Sequence, residues 1–265
     1  MSTDSNACLV EMKDIVKIYH EGTPDEATLF DGFSLSIARG DFVSVVGSNG
    51  SGKTTMLNIL CGSMPLTDGR VRVNGRDVTD LAEHKRARML GRVYQDPSKG
   101  TCAQLTVLEN MALADNKNKP YNLRPGVNRR RIDAYRAMLE PLGLGLENRL
   151  NQQVGSMSGG QRQALALLLS MMTPIELLVL DEHTAALDPR AADTVMELTQ
   201  KLVAEKGLTA LMVTHNLRYA VGYGNRLLMM HQGRAVIDAA GEDRARYTVD
   251  DLLRTFNEIS IECGN

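Results

Sequence analysis

The chain lacks any C-x-x-C pair: its four cysteines, Cys8, Cys61, Cys102 and Cys263, are widely scattered. Neither a zinc site nor a disulfide framework is suggested, and the usage fits a reducing cytoplasm. An excess of charge is also missing. The formal net charge is -2, which makes no electrostatic case for nucleic-acid binding, because such a surface is normally strongly basic. The strongest apolar run, Ala164 to Met172, falls far short of the roughly 20 residues that cross a bilayer. Any membrane connection is therefore expected to run through a partner. Residues Met1 to Val10 carry acidic and polar groups and no apolar signal core, so no targeting segment is expected there. The chain has no internal repeat and no low-complexity tract. What is present is an ordinary globular composition, 265 residues and 43% hydrophobic, enough for one large domain or two small ones with a sizeable core.

Phe42 to Val46 is short, β-branched and apolar, and reads as a buried strand running into a glycine-rich loop. Thr54 to Leu60 reads as the helix that follows. Asn74-Gly75 marks a hairpin-type turn between two short β-like pieces. Asp80 with Glu83 suggests a helix start, and Thr106 with Glu109 forms a T-x-x-E capping box. Asn116 to Asn128, with Pro120, Pro125 and Gly126, reads as a loop, and Ile132 to Leu142 as a helix. Ser158 to Met172 reads as a buried helix. Leu177 to Leu180 and Thr209 to Val213 read as parallel strands. Between them lies a helix opened by Asp188-Pro189, and Thr248 to Asp251 opens a last one. Strands alternating with helices predict an α/β fold, with a mostly helical insertion at about 96 to 157.

Gly47 to Thr54 is a full match to the phosphate-loop pattern G-x-x-x-x-G-K-[ST]. Glycines there let backbone N–H groups approach anionic oxygens, and the following helix presents its positive end. Lys53 suits the β and γ phosphates, and the Thr54 hydroxyl suits Mg²⁺. A glycine-rich turn that happens to contain Lys-Thr is the bland alternative. The match of Asn49-Gly50-Ser51 to a glycosylation triplet lies inside this loop and reads as accidental.

Asp181 ends an apolar strand, where ligands bind in open α/β sheets, and a carboxylate there can hold a Mg²⁺ shell through water. Glu182 is the candidate for polarising an attacking water. His215 ends another apolar strand and suits either a γ phosphate or a purely structural place. Gln95 after Val93-Tyr94 can sense Mg²⁺ and water, but by itself carries almost no signal. Met157-Ser158-Gly159-Gly160-Gln161 contains an S-x-x-Q capping box, and a capped N-terminus with two glycines is also an anion site. A second anion site beside Lys53 calls for a second ligand or a second copy of the chain.

GSNGSGKT at 47–54, VYQDP at 93–97, MSGGQRQ at 157–163, LLVLDEHTAALD at 177–188 and LMVTHN at 211–216 occur in the order seen in ABC ATPases. The chain resembles that family from about Ile15 to Val236. The resemblance implies a P-loop NTPase (RecA-like) core with a mostly parallel sheet at about 8–95 and 158–240. It adds an antiparallel β subdomain, a helical subdomain at about 96–157 and a short C-terminal helix at about 248–260, all in one ATPase domain. It implies ATP and Mg²⁺ as ligands, with Tyr19 on the adenine, the stretch Gly47, Ser48, Asn49, Gly50, Ser51, Gly52, Lys53, Thr54 and Thr55 on the phosphates, and Thr54, Gln95 and Asp181 at the metal. Glu182, His215 and Gln95 take the catalytic roles, and Asp188 matches the aspartate beyond the strand. In a head-to-tail homodimer, Ser158, Gly159, Gly160 and Gln161 of one copy close over the nucleotide of the other, which supplies the second copy.

Two departures stand out. Met157 replaces the usual Leu, a swap of similar volume, and His183 follows Glu182 where many relatives carry Pro or Ser. DEHTAALDP at 181–189, EHKRA at 83–87 and YGNR at 223–226 look like a subgroup of importer ATPases paired with a branched-chain-amino-acid-type permease and a solute-binding protein, some assigned to tryptophan or tyrosine uptake. The resemblance thus implies a subunit at the cytoplasmic face of the membrane. An exporter ATPase shares this chemistry. A soluble ABC protein acting on DNA or ribosomes usually carries a coiled-coil insertion or two ATPase units, which are lacking here, and a scaffold without turnover conflicts with the intact Lys53, Asp181, Glu182 and His215. The basic cluster Lys117, Lys119, Arg124 and Arg129 to Arg131 suits a solvated helix start or, alternatively, anionic lipid headgroups.

Overall fold

The structure is a computed structural model that describes residues 8–120 and 125–262. Residues Met1 to Ala7, Arg124 and Cys263 from the sequence reading lie outside the described residues. In chain order the elements are β1 (Cys8–Tyr19), β2 (Ala27–Ala38), β3 (Phe42–Gly47), α1 (Lys53–Cys61), β4 (Asp68–Val73), β5 (Arg76–Asp77), α2 (Glu83–Arg86), β6 (Leu90–Val93), α3 (Val107–Asp115), α4 (Ile132–Leu139), α5 (Gly159–Ser170), β7 (Leu177–Asp181), α6 (Pro189–Lys206), β8 (Thr209–Val213), α7 (Leu217–Gly222), β9 (Arg226–His231), β10 (Arg234–Ala240), α8 (Gly241–Arg246) and α9 (Val249–Glu262). The chain forms two compact units, one from Met1–Ala87 with Gly207–Asn265, the other from Arg88–Lys206. The architecture is the expected mixed α/β fold, with a parallel sheet and an antiparallel β subdomain.

In the first unit β3 lies between β8 and β9 and is parallel to both, and β10 closes the edge against β9 in the antiparallel sense. Every residue of β3 is buried, which is why this strand reads as a continuous apolar run rather than an alternation. Val46, Leu227 and Met229 pack with Ala220 of α7 and Leu252 of α9. Each of the valine, leucine and methionine side chains removed from water there contributes about 1.5–3 kcal/mol. A second, antiparallel sheet runs β2-β1-β4-β5. Its β4–β5 turn is Asn74-Gly75, with φ of 51° and 72°, the left-handed pair that an Asn-Gly hairpin supplies.

In the second unit β6 and β7 pair in parallel, Leu90 with Leu177 and Val93 with Leu180. The Thr106–Glu109 capping box at α3 forms as expected. So does Asp188 at the start of α6, where its carboxylate accepts from the Ala191 N–H at 3.0 Å. Two expectations shift. α4 stops at Leu139 and continues as a 3₁₀ turn over Glu140–Leu142, because Pro141 cannot donate to an α-helical bond. α2, back in the first unit, is a single turn with Ala82 as its uncapped N-cap, so Asp80 does not start it.

Candidate nucleotide site

In the first unit the loop after β3 is shaped by contacts that leave no room for side chains. A Cβ on Gly47 would meet the Met230 carbonyl oxygen and approach the Ser51 Oγ at 2.6 Å. One on Gly52, whose φ is 101°, would meet the Phe30 ring at 2.8 Å. Gly52 is also the N-cap of α1 and offers no side chain to its first amides, which leaves those N–H groups for an anion. Lys53 is buried, and its ammonium donates to the carbonyls of Gly47 at 2.7 Å and Ser48 at 2.9 Å. It thus ties the loop into a ring of inward backbone. Thr54 is exposed at the start of α1, and Asn49 and Gly50 are exposed at the loop tip.

Tyr19 ends β1 beside this helix. Its hydroxyl lies 2.9 Å from the Thr55 Oγ1, and the Lys17 ammonium sits 5.2 Å from its ring centroid. The expected extended turn of His20 to Ala27 is a turn over 20–26, in which the His20 carbonyl accepts from the Thr23 N–H at 3.0 Å. His215 follows β8 and is exposed. The Thr214 N–H bonds the Val45 carbonyl at 3.1 Å, so the parallel pairing brings His215 out at the same sheet edge as the phosphate loop. Sequence reasoning missed a second strand-end histidine. His231 ends β9, and its Nδ1 lies 3.4 Å from the Ser48 Oγ. The apolar run of β9 before it was the available signal.

In the second unit, the parallel β6 and β7 deliver Gln95, Asp181 and Glu182 to one edge. Gln95 is exposed, and the carbonyl of Tyr94 before it accepts from the buried Gln163 Nε2 at 2.9 Å. Asp181 is held by an arginine that the sequence reading did not single out. Arg92 Nη2 donates to Asp181 Oδ2 at 2.8 Å, and an arginine inside an otherwise apolar strand was the visible signal. Glu182 stands in the left-handed region, φ 49°, a conformation that costs a non-glycine residue about 1–2 kcal/mol and clusters at functional sites. The turn after it is anchored from below. The Glu182 carbonyl accepts from Ala185 at 2.9 Å, and His183 and Thr184 are buried. His183 Nε2 lies 3.2 Å from the Thr199 Oγ1, whose own proton goes to the Val195 carbonyl at 2.7 Å. The hydroxyl is therefore the acceptor and Nε2 carries the proton. Burial pushes the His183 pKa down to about 4, so the ring is neutral at physiological pH.

The signature stretch is also local to this unit. Ser158 Oγ accepts from the Gln161 N–H at 3.3 Å, and the Ser158 N–H donates to Gln161 Oε1 at 3.2 Å. Ser158 is exposed. The glycines have a packing reason as well: a Cβ on Gly159 would press on Leu187 at 3.2 Å, and one on Gly160 on Ala191 at 3.1 Å. The basic cluster is partly neutralised, since Arg131 and Lys119 both pair with Asp115, at 2.8 and 2.9 Å.

The two remaining subgroup stretches turn out to be framework. Arg86 is buried and donates to the carbonyls of Ile59, Leu60, Thr79 and Leu81 at 2.6 to 3.0 Å, which closes the C-terminal end of α1. Asn225 accepts from the Phe42 N–H at 2.8 Å and donates its own N–H to the Phe42 carbonyl at 3.0 Å, while Arg226 pairs with Asp238 at 2.7 Å. These residues hold α1 and β3 in place.

Residues 30–185, more than half of the chain, match the ABC transporter family model. A tyrosine transport ATP-binding protein of Clostridioides difficile (strain R20291) is 42% identical over 248 residues, which cover 94% of this chain and 98% of that protein. The ADP conformation of MJ1267, an ATP-binding cassette of an ABC transporter, superposes with a TM-score of 0.79 at 25% identity, covering 98% of this chain and all of that one. A dimeric post-hydrolysis state of the cassette MJ0796, bound to ADP and Pi, does so with a TM-score of 0.73 at 28% identity over 88% of this chain and 98% of that one. With the glycine cradle around Lys53 and the Asp181-Glu182 strand end in place, the chain belongs to the ABC transporter family, as an ATP-binding subunit that hydrolyses ATP to drive transport.

Proposed function

We propose that this subunit energises an importer of amino acids or related small solutes, as one cassette domain working in pairs. The observation that carries the catalytic part is Glu182, one residue beyond Asp181, held in a left-handed turn by buried neighbours. A carboxylate so fixed suits a general base for water attacking the γ phosphate. His215 holds that water or the phosphate, and Gln95 reports the state of the site to a membrane partner. Tyr19 stacks on adenine, and Gly47 to Thr55 hold the phosphates. Thr54, Gln95 and Asp181 are the residues we assign to Mg²⁺, since each offers a hard oxygen ligand. The ion neutralises phosphate charge when bound. Ser158, Gly159, Gly160 and Gln161 serve the nucleotide of the partner copy in an ATP-sandwiched homodimer.

No helix among the described residues is long and apolar enough to cross a membrane, and we place the subunit at the cytoplasmic face through its permease. The groove of about 560 Å³ lined by Lys99, Thr101, Gln104, Leu113 and Leu169 is the contact surface we propose, since Leu113 is 59% exposed there. Import of an amino acid is favoured by the 42% identical tyrosine transport relative. A solute-binding protein then acts indirectly, through the permease.

The test is Glu182→Gln, assayed in vesicles with the permease and binding protein. The variant should bind ATP and accumulate as a dimer, with hydrolysis lowered by about 10²-fold or more. Vesicles carrying the unaltered subunit should accumulate labelled aromatic amino acid on the binding-protein side's opposite face. Full turnover by the variant would remove Glu182 from its role, and ATP-driven efflux would overturn import.

A further inference from the structure

Arg92 sits in β6 and faces Asp181 at the end of β7. It is a charge inside an apolar strand, and its side chain is only 11% exposed. Its guanidinium is fixed on two sides. Nη2 reaches Asp181 Oδ2 at 2.8 Å, and the group lies over the Tyr94 ring at 4.7 Å from the centroid. Tyr94 is itself pinned, because its carbonyl accepts from the Gln163 Nε2. Asp181 is 16% exposed. A carboxylate that far from water needs a compensating cation, and a planar guanidinium stacked on an aromatic face is the side chain best suited to stay in place as one.

Resting on the assignment of Asp181 to the metal, we propose that Arg92 is a positioning residue that sets how strongly Mg²⁺ is drawn to Asp181. It occupies one carboxylate oxygen of Asp181 and cancels much of its charge. The pair is thereby ordered and without net charge, and a divalent ion arriving at the other oxygen meets a weaker field than a bare carboxylate would give. The arginine thus trades metal affinity for a carboxylate that is already oriented. Removing its charge while keeping a polar side chain should strengthen metal binding, which is the opposite of what simple loss of order would do.

The experiment uses the full chain and fluorescent ADP, titrated with Mg²⁺ from an EDTA-treated start, in the wild type, Arg92→Gln and Arg92→Lys. ADP binding without metal is the reference in each protein, so that only the enhancement brought by Mg²⁺ is compared. The Mg²⁺ concentration for half-maximal enhancement should fall at least about fivefold in Arg92→Gln, as removal of one nearby charge at a partly buried site implies, and stay near the wild-type value in Arg92→Lys. An unchanged or raised half-saturation in Arg92→Gln overturns the inference, as does an equal fall in Arg92→Lys. Loss of nucleotide binding by the wild type would instead overturn the site assignment itself. If Arg92→Gln does not fold, the inference is decided by the Arg92 Nε–H resonance of ¹⁵N-labelled wild type, assigned with Arg92→Lys. It should shift when Mg²⁺ is added to the ADP complex and not when ADP alone is added, and a resonance blind to Mg²⁺ overturns the inference.

Discussion

Acidification should weaken this protein through a single buried ring. His183 is 2% exposed, its partner is the Thr199 hydroxyl at 3.2 Å, and no charge offsets its burial. The folded state holds its pKa at about 4, whereas an unfolded chain titrates near 6.5. Between those values the unfolded state binds the extra proton, so stability falls as pH falls. One pKa unit corresponds to about 1.4 kcal/mol. The loss at this one residue amounts to about 2 kcal/mol between pH 7.5 and 5, and about 3.4 kcal/mol once pH lies below 4. Carboxylates with lowered pKa, such as Asp115, lose stability in the same direction at lower pH, so the histidine must be isolated by difference. His183→Gln keeps a donor for Thr199 and cannot titrate. Urea unfolding followed by circular dichroism, chosen because the chain has no tryptophan, should be run on both proteins from pH 7.5 to 5. The wild type should lose about 2 kcal/mol more than the variant over that range. Parallel stability curves would refute the argument, since they would mean that the ring is already protonated when folded, or is exposed to water.

Two further outcomes follow from the same geometry. Arg86→Ala should destabilise the fold by about 3 kcal/mol or more, because it leaves buried carbonyls at the end of α1 without donors, and a urea midpoint within experimental error of the wild type would show that water replaces the guanidinium. Ser158→Arg should block hydrolysis while monomeric nucleotide binding persists. If equilibrium dialysis showed binding lost as well, the serine would belong to the fold of its own copy and the model of a site shared between copies would fail.

Much of the fold was legible because its signals are local. The run Phe42 to Gly47, the Asn74-Gly75 turn and the capping boxes at Thr106 and Ser158 each involve neighbours within a few residues, where spacing alone dictates geometry. The phosphate loop was legible for the same reason. Arg92 was not, because its meaning lies in Asp181, far along the chain, and only the β6–β7 register joins them. His231 was not legible either, because only the pairing of β9 with β3 sets its ring near Ser48. The stretches at 83–87 and 223–226 resemble a subgroup of importer ATPases, and only the fold shows that Arg86 and Asn225 spend their polar groups on backbone carbonyls and amides.

By itself the sequence determined the chemistry on offer: a glycine cradle with Lys53, an acidic strand end at Asp181-Glu182, and a capped signature at Ser158. These rest on residue type and short spacing, which local sterics and hydrogen bonding translate directly into shape. The tertiary structure alone decided how those groups are tuned. Strand pairing set Arg92 against Asp181, and side-chain packing buried His183 beneath Glu182; the first depends on charge compensation and the second on burial, both through residues that the sequence keeps apart.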